Sequence, residues 1–136
     1  MKKLLLVLLL FALLVPSAFA VQTDSNFDYG AIIGCAGAHY GEIYTLVGRV
    51  VQVEEYHRSS DDKIVEEYTT LAVDDNPDQI VCLHYTRPKN QFPMDFDSIV
   101  VVLAYVDGVR RTGKEIVPLL ESKSDPIVIE EPQGQE

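Results

Sequence analysis

The sequence contains no tryptophan, only two cysteines (Cys35 and Cys82), three histidines, and about half as many basic residues as acidic ones, 11 against 21. Each scarcity narrows the options. A true immunoglobulin-like sandwich is built around a core tryptophan and wants about seven strands, so that fold is disfavoured. Nucleic-acid affinity rests on neutralising phosphates, and a formal charge of −10 repels a long polyanion, so duplex nucleic acid is not an expected partner. A metal site built on Cys82 and His84 is short of ligands, because too few further Cys or His residues accompany them. No serine lies in a nucleophile-elbow or comparable setting, and Ser59-Ser60 near His57 reads as loop composition. No catalytic constellation is visible, and no motif implies a cofactor.

Long apolar runs are also missing, with one exception at the start. Residues 1–20, MKKLLLVLLLFALLVPSAFA, place Lys2 and Lys3 before an unbroken apolar stretch and end on Ala18-Phe19-Ala20. This is the pattern of a secretory signal peptide with cleavage after Ala20. Its apolar stretch of about twelve residues falls short of the roughly twenty that span a bilayer, so no membrane span is expected after cleavage. The box Ile32-Ile33-Gly34-Cys35 is similar to a lipidation site but lies too far from the apolar run, with Asp24 and Asp28 between. Export implies a secreted or periplasmic location. Loss of Lys2 and Lys3 moves the formal charge from −10 to −12, which keeps an exported domain soluble. In an oxidising compartment an isolated cysteine pair is expected to form a structural disulfide, Cys35–Cys82, worth about 4 kcal/mol in the chain-entropy model.

What remains is strand pattern. Residues 21–40 are poor in periodicity and rich in Gly and Ala, reading as an N-terminal arm or short helix. Candidate strands follow at 42–55, 63–73, 79–85, 98–106 and 115–120, rich in β-branched and aromatic residues. Asp74-Asp75-Asn76-Pro77-Asp78 turns the chain, Pro88 and Pro93 interrupt it, and Asp107-Gly108 opens a turn closing near Thr112-Gly113. The aspartates of the first turn match no calcium-loop spacing. Residues 126–136 read as an acidic flexible tail. Five strands with one longer connection predict an all-β chain: an OB-fold-like, five-stranded Greek-key barrel over residues 41–125, with a small β-sandwich as the alternative. Gly48, inside the apolar run LVGRVVQVE, is the expected bend of a first strand that must pair in both halves of such a barrel.

GEIYTLVGRVVQVE, then a hairpin, then DSIVVVLAYVDG resembles bacterial OB-fold domains of the tRNA-anti-like group, which share a first strand with an internal glycine and a late strand entering a glycine turn. The order of HYTRPKNQFPMDFDSIVVVLAYVDG and IVPLLESK is also similar to the periplasmic haem chaperone of cytochrome c maturation. That family attaches haem through a histidine just beyond the last strand. Here the corresponding stretch is Glu121-Ser122-Lys123-Ser124, and no histidine follows His84, so haem attachment is not implied.

An OB barrel binds ligands on the face of its second and third strands, flanked by the first-to-second and fourth-to-fifth loops. The scarce positive charge falls around that place: His57, Arg58 and Lys63 in the first loop, Arg110, Arg111 and Lys114 in the second, and Arg87 and Lys89 leaving the third strand. Tyr68, His84 and Tyr85 supply stacking and hydrogen bonding. Asp61, Asp62 and Asp107 share those loops and blunt the field. The paired carboxylates Glu54-Glu55 and Glu66-Glu67 point to opposite faces of their strands and read mainly as solvated edges. The expectation is a non-catalytic secreted module that binds a partner protein of the envelope or a small anionic ligand through His57, Arg58, Tyr68, His84, Tyr85, Arg87, Arg110, Arg111 and Lys114. A periplasmic haem or metal carrier is the alternative, and a hydrolase a third reading.

Overall fold

The structure is a computed structural model describing residues 22–57, 63–91 and 94–130. The expected leader, Arg58 with Asp61 and Asp62, Pro93, and residues 131–136 of the expected tail lie outside the described residues. A short helix, α1 (Tyr29–Gly34), and a 3-10 turn (Ala36–His39) precede six strands: β1 (Ile43–His57), β2 (Ile64–Val73), β3 (Ile80–Pro88), β4 (Ile99–Thr112), β5 (Glu115–Ser122) and β6 (Ile127–Glu130). Among the described residues no helix is long and apolar enough to cross a membrane.

The strands form one sheet in the order β1-β2-β3-β5-β4-β6, and β1 pairs again with β4. Five strands therefore close into a ring, all antiparallel except the short β3–β5 contact, where residues 82–84 run parallel to 119–121. The expected all-β, barrel-like architecture is what the chain adopts. Inside the ring lies one core containing Leu46, Leu71, Leu83, Val100 and Leu120, and Ile32 of α1 closes it from one end. Alternation produces this core: along β2, residues 65, 67, 69, 71 and 73 are buried while 64, 66, 68 and 70 are less so, and only Ala72 at the end of the strand is buried out of phase.

Gly48 sits where β1 changes partners. Gly48 and Arg49 pair with Val73 and Ala72 of β2 on one side and with Val100 and Ile99 of β4 on the other. The glycine is needed for close approach. A Cβ there would lie 3.0 Å from the Ala72 carbonyl oxygen and 3.2 Å from Leu71 Cβ. The irregularity in the ladder comes just beyond, between Val50 and Gln52, so the bulge is displaced from the expected glycine to Val51. Arg49 fastens the outside of this handover. Its Nε donates to Asp75 Oδ1 at 2.8 Å and its Nη1 donates to the Asp97 carbonyl at 2.8 Å. Asp75 and Asp97 both adopt left-handed backbone, at φ 58° and 70°, so one guanidinium pins two tight turns. That hydrogen bonding holds the Asp75 carboxyl below its usual range.

Several expectations change. The N-terminal arm is integrated: the backbone N–H of Asp24 donates to the Thr45 carbonyl and the Thr45 N–H donates to Asp24 Oδ2, covering an edge of β1 that β2 does not reach. Asp28 caps α1 by accepting from the Ala31 N–H at 3.1 Å. Asp107-Gly108 is not a turn. β4 runs through it with a register shift between Val106 and Gly108, the glycine at φ 140°, and reverses only at Gly113. The first part of the expected tail is strand β6, paired with residues 99–101 of β4.

The expected Cys35–Cys82 disulfide is not formed; both are free thiols, Cys35 exposed and Cys82 buried. They lie on different elements. Cys35 follows α1, whose Ile32 faces the core, whereas Cys82 pairs with Thr70 on the outer face of β3, between core-facing Val81 and Leu83.

Candidate functional site

Alternation places the same strands' other residues outside the ring, and register brings them side by side. Across β1 and β2, Glu54 stands opposite Tyr68 and Tyr56 opposite Glu66. Across β2 and β3, Tyr68 stands opposite His84 and Thr70 opposite Cys82. The parallel β3–β5 contact adds Leu119 beside Cys82 and Glu121 beside His84. Beyond the bulge at Asp107, the β4–β5 hairpin carries Arg110 onto the same surface.

These residues form a stack. The Arg110 guanidinium carbon lies 3.8 Å from the Tyr68 ring centroid, a cation–π contact. Tyr68 packs at 4.6 Å and a 34° tilt against the His84 ring and meets Tyr56 edge-on at 5.4 Å and 87°. Arg110 Nη2 donates to Glu54 Oε2 at 3.1 Å, and its Nη1 reaches Cys82 Sγ at 3.9 Å. His84 lies between two carboxylates, with Nδ1 at 2.6 Å from Glu121 Oε2 and Nε2 at 3.4 Å from Glu66 Oε1. Burial pushes the Tyr68 phenol and the Cys82 thiol up, and Arg110 opposes both shifts. A cleft of about 450 Å³ opens along this surface, lined by Tyr56, Glu66, Tyr68, Val109, Arg110 and Leu119.

Of the expected site residues, Tyr68, His84 and Arg110 come together here. Arg111 and Lys114 are exposed farther along the hairpin. His57 ends β1 opposite Val65. Tyr85 and Arg87 are corrections: both are buried, at 7% and 6% exposure, on the inner face of β3. The cause is parity, since neighbours along a strand face opposite ways and His84 faces out. Arg87 Nε donates to Glu67 Oε1 at 2.6 Å, Nη2 to Glu55 Oε1 at 2.8 Å, and Nη1 to the Gln91 carbonyl at 2.6 Å. Glu67, read as a solvated edge, is 0% exposed. Burial first, and then the adjoining Glu67 carboxylate, drive the Tyr85 phenol far above the ordinary tyrosine range.

Sequence reasoning missed Glu54, Tyr56, Glu66, Val109, Leu119 and Glu121. Alternation carries part of the missing signal, because Glu66 and Tyr68 are two apart on one strand, as are Glu54 and Tyr56. Assigning the remainder requires the register between strands. Chemically the described residues of this surface offer an aromatic stack, one guanidinium, an imidazole and three carboxylates. Among the described residues no three His, Cys, Asp or Glu side chains are grouped to hold a metal ion. No family model, curated protein or solved structure matches the chain.

Proposed function

We propose that the protein is an exported, non-catalytic binding module of the OB type that recognises a partner protein on the outer face of β1, β2, β3 and β5. The observation carrying this reading is the Arg110–Tyr68–His84 stack, with Tyr56 meeting Tyr68 edge-on, beside an open cleft. Aromatic residues and arginine are the side chains that most often anchor protein interfaces. The face is also the one an OB barrel uses. A partner protein suits it better than a small anion. Arg87 is committed inside the ring and Arg110 is paired with Glu54, so among the described residues these two guanidiniums do not converge on one point.

The test is site-specific photo-crosslinking in cells, with the crosslinker at Val109 in the cleft or at Leu103 on the outer side of the β1–β4 pair. The expected result is one adduct of defined mass from Val109 and none from Leu103, with the Val109 adduct lost in Tyr68→Ala. Adducts of equal yield from both positions, or an adduct indifferent to Tyr68→Ala, would overturn the proposal.

A further inference from the structure

The ring is joined most briefly where β3 meets β5. The parallel ladder links Cys82, Leu83 and His84 to Leu119, Leu120 and Glu121 and stops there, while β3 itself runs on to Pro88. Beyond Ser122 the chain passes through residues 123–126 into β6, which pairs with β4. A groove opens along this seam. One part, of about 360 Å³, is lined by Tyr85, Thr86, Glu121 and Ser122 together with residues 123–125. A second part, of about 170 Å³, has Met94, Pro126 and Val128 in its walls beside Tyr85, Arg87 and Gln91, and Tyr85 and Asp125 border both parts.

Strand parity decides what β3 presents to this groove. The Lys89 N–H donates to the Lys63 carbonyl, and along an antiparallel pair such bonds recur at every second residue. The peptide groups of Arg87 and Tyr85 therefore turn to β2, and those of Thr86 turn the other way. The next rung of the β3–β5 ladder would take the Thr86 N–H, and among the described residues it is not made. Thr86 is exposed, so its N–H and carbonyl form a short open edge, a template for another strand. In strand addition, main-chain hydrogen bonds hold the guest and pockets beside the edge take its alternate side chains. The second part of the groove is smaller than the roughly 300 Å³ at which small-molecule sites begin, and suits a single side chain. Arg87 in its wall is already bonded to Glu67, Glu55 and the Gln91 carbonyl, which leaves Met94, Pro126 and Val128 to meet an aliphatic one.

We therefore infer that the seam docks an extended segment of a partner protein, bonded through its backbone to Thr86 and placing one aliphatic side chain against Met94, Pro126 and Val128. The chain's own last residues, EPQGQE, contain no Val, Ile or Leu to fill that place, and a formal charge of −10 on each molecule opposes a second copy. The inference adds to the reading of the outer face and does not rest on it.

The probes are capped pentapeptides, Lys-Thr-X-Thr-Lys, with X valine, leucine, isoleucine or glycine, added to the isotope-labelled protein and followed by amide shifts and hydrogen exchange. In the free protein the Thr86 amide is expected to exchange fast and those of Tyr85 and Arg87 slowly. An aliphatic peptide is expected to slow Thr86 and shift Met94 and Val128 saturably, and the glycine peptide, of equal charge, to bind about tenfold more weakly. Methylating both threonine nitrogens of an aliphatic peptide should abolish these changes. Thr86→Pro removes the protein's donor without touching a bond to β2 and should abolish the shifts at Met94 and Val128; slow exchange at Leu71 and Val81 reports that the variant folds, and the methylated peptide decides if it does not. A free-protein Thr86 as slow as its neighbours, equal binding of the glycine or methylated peptides, or no slowing of Thr86 by any aliphatic peptide would each overturn the inference. Protection of Thr86 that rises with protein concentration alone would give the edge to a second copy and overturn it as well.

Discussion

The two sides of the β2–β3 pair handle charge in opposite ways. Inside the ring, Arg87 and Glu67 form a dry pair at 2.6 Å, and Tyr85 lies against it with its phenol kept protonated. Outside, Arg110 and Glu54 pair at 3.1 Å with both side chains partly in water, and the guanidinium lies flat on Tyr68. Both pairs join an arginine to a glutamate. They differ in what replaces water, and so in what they can do. The inner pair has surrendered its hydration, Glu67 Oε2 finds no hydrogen-bond donor among the described residues, and Arg87 is fixed further by Glu55 and the Gln91 carbonyl. The outer pair keeps part of its hydration, so its groups stay within reach of solvent.

Mutations separate the two environments by the size of their effects. Arg87→Ala leaves the Glu67 carboxylate buried without its cation and is expected to cost about 3–5 kcal/mol, read as a lowered urea midpoint with an unchanged slope. Replacing both partners by apolar residues, Arg87→Met with Glu67→Leu, should recover most of that loss, because the penalty comes from the stranded charge. A double variant as unstable as Arg87→Ala would show that the pair itself carries the stability. The outer pair should matter far less. Arg110→Ala removes a cation–π contact and a partly solvated ion pair and is expected to cost about 1 kcal/mol or less in the same measurement. A loss as large as that of Arg87→Ala would erase the distinction between the faces.

The smallest effect is expected at Arg49–Asp75, where Asp75 is well exposed. Its carboxyl is depressed in the folded protein by the hydrogen bond from Arg49. The unfolded carboxyl titrates near its ordinary value of about 3.9. Stability from this pair is therefore fully present above that value and is lost as pH falls through the lower folded value. Asp75→Asn should be slightly less stable than the parent at neutral pH, and the two should converge in acid. A stability gap that stays constant down to low pH would show that the pair does not act through its charge.

Much of this contrast was legible residue by residue. The β-branched and aromatic residues of 63–73 locate β2, and the run around Gly48 locates the strand that two neighbours share. Residue type and expected loops point to Tyr68, His84 and Arg110, and these three meet on the outer face. Proximity to the loops suggests an outer place for Tyr85 and Arg87, but parity overrides it: counting from His84, residues 85 and 87 fall on the inner side. The disulfide was expected from compartment and cysteine count, neither of which reports which side of a sheet a side chain occupies. Strand β6 escaped because a short apolar stretch before an acidic end shows no alternation of its own and becomes a strand only by borrowing the edge of β4.

By itself the sequence determined the predominance of strands and the acidic balance, since the first follows from the steric preferences of β-branched and aromatic residues and the second from composition alone. Only the tertiary structure decided that β1 hands over from β4 to β2 at Gly48, that Cys35 and Cys82 stay unpaired, and that Arg110 lies on Tyr68. These follow from register and ring closure, which join residues far apart in the chain and are set by the packing of the whole core, so no local stretch of sequence encodes them.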